Sequence, residues 1–132
     1  MIIPLLEKAI ASRAPLMDSK HESAFRLFNG FTEGFPNLIV DIYAATAVIH
    51  DYADNLEQGS LIVQEAQQFL ATSLPWLRAG IVKTRNGATA EDKRGKLLFG
   101  TELDRKIKEH GVWYAINLTL NRDSSLYLDT RN

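Results

Sequence analysis

The sequence predicts an α+β fold: a mixed, largely antiparallel sheet with two helices in a single compact domain. Three observations lead there. Short β-branched runs such as Leu38-Ile39-Val40-Asp41-Ile42-Tyr43 sit between turn signals. One longer stretch, from about residue 58 to 73, switches to helical spacing. The chain has 132 residues and is 45% hydrophobic, which suffices for one core and is too apolar for a disordered segment.

Taken in order, residues 4–13 suit a short amphipathic helix with Leu5, Leu6 and Ile10 on one face, Pro4 in the first turn and Pro15 as its stop. Ala24 to Phe28 reads as a strand. Asn29-Gly30 and Glu33-Gly34-Phe35-Pro36-Asn37 are turn signals, where glycine adopts positive φ at little cost. Leu38 to Tyr43 is a strand, joined through Ala44-Ala45 to an antiparallel partner from Thr46 to Asp51. Leu61, Ile62, Ala66, Phe69, Leu70 and Leu74 mark the second helix, stopped by Pro75. Gly80 to Thr84 is a short strand, Arg85 to Gly95 an exposed loop and Lys96 to Phe99 another short strand. Val112 to Leu120 alternates as one strand, with Val112, Tyr114, Ile116, Leu118 and Leu120 on one side. Asn121 to Ser124 reads as a turn and Leu126 to Asp129 as the last strand.

Composition narrows the chemistry. There is no cysteine, so the chain carries no disulfide, thiolate metal site or cysteine nucleophile. The formal net charge is −1, so a nucleic-acid contact requires a local basic patch. No apolar run approaches the ~20 residues of a membrane span. Met1 to Lys8 lacks the basic leader and long apolar core of a signal peptide, which points to a cytoplasmic setting.

The stretch from Arg78 to Lys96 holds six cations, Arg78, Lys83, Arg85, Lys93, Arg94 and Lys96, against two anions, Glu91 and Asp92. Beside a sheet it suits RNA phosphates; the alternative is a solvated loop. Asp41 inside an apolar strand calls for a cationic partner, and Arg26 on the preceding strand is the candidate. A structural pair is favoured there over catalysis. His21, His50 and His110 lack metal-ligand spacing. The Glu33-Gly34-Phe35-Pro36 turn lacks the spacing of a phosphate loop and opens no helix, so it reads as a rigid hairpin lead-in. No catalytic residue is assigned within the chain.

Two segments carry a resemblance. The first is Asn29-Gly30 through Tyr43. The second comprises Glu109-His110-Gly111, the alternating strand after it, and Tyr127-Leu128-Asp129-Thr130-Arg131. Together they resemble SAM-dependent RNA methyltransferases related to the bacterial 23S rRNA 5-methylcytosine enzymes. That family tends to read Asn-Gly-Glu-Gly-Asp-Gly-Leu-Pro-Gly-Leu-Ile-Val-Asp-Arg-Tyr in the first segment. Here Asn29, Gly30, Gly34, Pro36, Leu38, Ile39, Val40, Asp41 and Tyr43 are kept, and Ile42 stands where the family has Arg. In the second segment Thr130 replaces the family's Gln and Ser125 its Gly.

The resemblance implies a division into an N-terminal helical segment (1–20), an α+β pre-catalytic domain (21–120) and the start of a Rossmann-like methyltransferase domain (121–132). The catalytic part of that last domain is absent from this chain. The complete enzyme would use S-adenosylmethionine on RNA, ribosomal by analogy. This fragment would bind no cofactor or metal, would have no turnover by itself, and would shape the RNA cleft and one edge of the active site. Lys83, Arg85, Lys93 and Arg94 are the residues expected at RNA phosphates. Tyr127, Asp129 and Arg131 are expected on the cofactor side, although Asp129 and Arg131 could equally cap the next helix. A different reading is a stand-alone, non-catalytic module that binds RNA or protein.

Overall fold

The computed structural model describes residues 2–119. Helix α1 (Ile3–Arg13), followed by a 3-10 turn (Ala14–Leu16), leads into strand β1 (Ala24–Asn29) and a single-turn helix α2 (Gly30–Glu33). Strands β2 (Leu38–Tyr43) and β3 (Thr46–Asp51) follow, then helix α3 (Leu56–Ser73) and strand β4 (Ala79–Thr84). Helix α4 (Ala90–Arg94) and strands β5 (Lys96–Phe99), β6 (Lys106–Glu109) and β7 (Val112–Ala115) complete the described part. The fold is α+β, as the sequence predicts. The sheet order is β1-β2-β3-β4-β5, antiparallel throughout except for the parallel β3–β4 pair. The β3–β4 crossover runs through α3, because a parallel connection needs a long return and a two-residue turn cannot supply it.

Side chains alternate across this sheet and define two faces. On one face Leu38, Val40, Ile42, Ala47, Ile49 and Val82 bury against Leu6 and Ala9 of α1 and Val63, Ala66 and Leu70 of α3. A bulge in β1 keeps both Leu27 and Phe28 in this core, because Arg26 pairs with Asp41 and Phe28 with Val40. On the other face Ala24, Tyr43, Val48 and Ile81 pack with Ile107, Ile116 and Leu118. The β6–β7 hairpin therefore caps one end of that second face.

Two close approaches explain glycines inside regular elements. A Cβ on Gly59 of α3 would lie 2.6 Å from both carboxylate oxygens of Asp51. A Cβ on Gly80 would lie 2.3 Å from the ring of Phe99, which covers that bare backbone from the paired strand.

Several elements differ from the sequence reading. The stretch read as one exposed loop contains α4, nucleated by a capping box: Thr89 Oγ1 accepts from the Asp92 N–H at 3.1 Å, and Asp92 accepts from the Thr89 N–H at 3.2 Å. The turn signal after Asn29 is the helical turn α2. Gly34 closes it at φ +92, and the Asn29 N–H donates to Glu33 Oε2 at 2.6 Å. The alternating segment from Val112 is a strand only to Ala115. It pairs with β6, which has one buried apolar residue, Ile107. The expected turn and strand beyond residue 120 lie outside the described residues.

Candidate nucleic-acid interface

Three polar regions surround the second face. The first is a buried row across the strands. Arg26 donates from Nε to Asp41 Oδ1 at 2.8 Å and from Nη2 to Oδ2 at 3.2 Å, so the pair anticipated from the sequence forms. His50 Nε2 lies 3.1 Å from the same carboxylate, a partner the chain spacing did not suggest. Burial by itself pushes the Asp41 carboxyl up; the hydrogen bonds from His50 and Arg26 outweigh it and hold the carboxyl below the ordinary range. Cross-strand register creates this site. Arg26 faces Asp41, while His50 faces Ile39 and reaches Asp41 along the diagonal. Lys83 is register partner of His50 and is only 4% exposed. It belongs to this buried row, whereas the sequence reading counted it among the residues at RNA phosphates.

The second region is the corner where β4 ends. Arg85 is exposed there, with its guanidinium carbon 5.4 Å from the Tyr52 ring centroid. Lys93 and Arg94 are exposed on the last turn of α4, which folds back so that a Cβ on Gly87 would touch Asp92. Asp92 also forms an ion pair with Lys96 at 3.0 Å. Arg85, Lys93 and Arg94 thus share one basic corner, opposed by Glu91. Arg78 lies at the other end of β4, ion-paired with Asp104.

The third region is an open cleft of about 420 Å³ at that other end. It lies between the β2–β3 turn, the end of α3 and the β6–β7 hairpin. Its lining includes Lys20, His21, Ala44, Trp76, Lys106 and Trp113. His21 stacks on Trp76 with centroids 3.9 Å apart and planes 8° from parallel. The Lys106 and Lys108 ammonium groups sit 4.5 and 5.5 Å from the Trp113 ring centroid. Asp104 fixes the cleft floor: its Oδ2 accepts from the Ala45 N–H at 3.0 Å and from the Thr46 hydroxyl at 2.7 Å, and its own N–H donates to Thr46 Oγ1 at 3.0 Å. The sequence reading missed this cleft, because its aromatic residues are scattered along the chain.

Tyr127, Asp129 and Arg131, expected beside a cofactor, lie outside the described residues. Among the described residues no glycine-rich strand–helix turn forms a cradle for S-adenosylmethionine: α3 is entered through Ala53-Asp54-Asn55, with Asn55 capping the Gln58 N–H at 2.9 Å. No cluster of three potential metal ligands occurs among them, and no helix of the described part is long and apolar enough to cross a membrane.

Known proteins resemble the chain as follows. No family model matches it. It is 25% identical over 141 aligned positions to YwbD of Bacillus subtilis (strain 168), a protein named as a ribosomal RNA large subunit methyltransferase. That alignment covers 96% of this chain and 32% of YwbD. Two solved structures share the fold at 23% identity. One, from Streptococcus mutans, is named as a SAM-dependent methyltransferase and superposes with a TM-score of 0.78. The other, SMU.776, is named as a methyltransferase, was solved with SAH bound, and superposes at 0.79. This chain is covered to 98% by each and accounts for 33% and 32% of their lengths. It thus spans about a third of the proteins it matches.

Proposed function

We propose that this chain is the pre-catalytic portion of a SAM-dependent methyltransferase acting on ribosomal RNA. Its role is to place RNA at the edge of an active site built mainly elsewhere. The observation that carries this reading is the match of nearly the whole chain to a third of YwbD, supported by the fold shared with methyltransferase structures. Residues 1–20 form its helical lead, 21–120 its α+β body and 121–132 its approach to the catalytic domain. Arg85, Lys93 and Arg94 are the phosphate contacts. Lys83, buried beside His50, supports the sheet beneath them. Tyr127, Asp129 and Arg131 belong to the cofactor side. The finer assignment, kinship with the 5-methylcytosine enzymes, rests on the residues shared from Asn29 to Tyr43 and from Tyr127 to Arg131. A cytoplasmic location goes with ribosomal RNA as substrate.

Isothermal calorimetry of the 132-residue chain with S-adenosylmethionine, together with a methyl-transfer assay on ribosomal RNA, tests the division of labour. The expectation is neither measurable affinity nor turnover. Micromolar binding of S-adenosylmethionine would overturn the pre-catalytic assignment.

A further inference from the structure

We propose that the cleft between Trp76 and Trp113 is a stacking site for an unpaired RNA base, with Lys20, Lys106 and Lys108 at the flanking phosphates. The inference rests on the reading of the chain as RNA-directed and adds to it a second, chemically different contact at the opposite end of β4 from the basic corner. Three independent observations converge. First, Trp113 is 44% exposed on a β-hairpin, so ring surface beside Lys106 and Lys108 is open to a ligand. Second, the charge is complementary to a nucleotide strand. Arg78 and Asp104 neutralise each other, which leaves Lys20, Lys106 and Lys108 against Glu22 around the aromatic walls. Third, His21 and Ala44, two of the three non-glycine residues with positive φ among the described residues, line this same cleft, at +53° and +55°. At Ala44 the tight β2–β3 hairpin turn accounts for the positive φ, whereas His21 lies outside any hairpin, and strain of that kind concentrates at ligand sites.

Stacking platforms interleaved with cations bind single strands with little regard to sequence, because every base has a π-face. A base in a duplex cannot enter such a cleft without leaving its stack. The proposal is therefore specific for unpaired RNA.

Both tryptophans of the chain line the cleft, so fluorescence excited selectively at tryptophan reports on it alone. The experiment titrates the full chain with an oligoadenylate of about eight nucleotides and with a blunt RNA duplex, and follows tryptophan emission and the anisotropy of a labelled strand. Saturable quenching by the single strand and none by the duplex is expected. Trp113→Ala should weaken strand binding about 5- to 150-fold, and Trp113→Phe should retain most of it. Trp113→Leu, apolar but not aromatic, should lose binding while melting at the parental temperature, which separates stacking from packing. Binding without quenching, or with unchanged affinity in Trp113→Leu, overturns the cleft and leaves RNA placement by the basic corner standing. A chain that binds neither RNA at millimolar strand concentration overturns the cleft and the RNA-placing role together.

Discussion

Removing the Asp104 carboxylate should unfasten the β2–β3 turn from the segment leading into β6. Asp104 is 11% exposed and accepts from the Ala45 N–H and the Thr46 hydroxyl. Thr46 is fully buried and Ala45 is 8% exposed, so water entering from the open cleft replaces the lost acceptor only in part. An orphaned buried donor costs about 1–3 kcal/mol; with two of them partly rehydrated, Asp104→Ala should cost about 2–4 kcal/mol. The ion pair with Arg78 adds little, because Arg78 is 66% exposed and such pairs contribute about 0–1 kcal/mol. For a chain of this size that loss lowers Tm by roughly 10 °C. Asp104→Asn retains a carbonyl acceptor and should cost about 1 kcal/mol. Urea denaturation followed by circular dichroism measures both variants, and a cycle with Thr46→Val should reveal coupling above about 0.5 kcal/mol. An Asp104→Ala chain within about 0.5 kcal/mol of the parent would show that the carboxylate does not hold the turn.

Two further outcomes follow from the polar regions. The Asp41 carboxyl is depressed in the folded state, so its contribution is present above the ordinary carboxylate range and is lost as pH falls through the depressed folded value. Denaturation midpoints between pH 7 and pH 2 should therefore fall steeply at the acid end, and Asp41→Asn should flatten that fall; an unchanged acid slope would remove Asp41 as its source. Charge reversal at Arg85, Lys93 and Arg94 together should weaken RNA binding almost independently of sequence and lower the slope of log K against log salt by about 2–3. Lys83 is left out of that variant because reversing a charge that is 4% exposed would disturb the sheet itself. An unchanged affinity and slope would make the corner an ordinary solvated surface.

The strands from Leu38 to Asp51 were legible as β-branched runs between turn signals, and the helix that begins at Leu56 by its helical spacing of apolar residues. The Arg26–Asp41 pair was legible because a carboxylate in an apolar strand needs a neighbour of opposite charge. Other features were hidden for identifiable reasons. Helix α4 is five residues long and is held by its cap, so it has no apolar stripe. The alternation from Val112 to Leu118 crosses a structural boundary: Val112 and Tyr114 are exposed on the hairpin, whereas Ile116 and Leu118 enter the core after β7 has ended. His50 meets Asp41 along a diagonal that only strand register defines. The tryptophan cleft required the ends of three separate segments to meet, and no local pattern encodes that.

The parallel β3–β4 pair bears on how the chain reaches this structure. Strands β1, β2 and β3 are linked by short connections and form a meander whose contacts lie close along the chain. Strand β4 cannot join until the 27 residues from Tyr52 to Arg78 have closed a loop around α3. Closure entropy must be met before pairing repays it, so the crossover governs the folding rate. Substitutions that weaken the packing of Val63 or Leu70 on the sheet should slow refolding, and ones confined to the β6–β7 hairpin should mainly hasten unfolding. Stopped-flow refolding that is indifferent to α3 would assign the rate to a different step. If the crossover sets the rate, the hairpin that carries Trp113 should dock last and open first, a late-forming element that amide hydrogen exchange would show protected least.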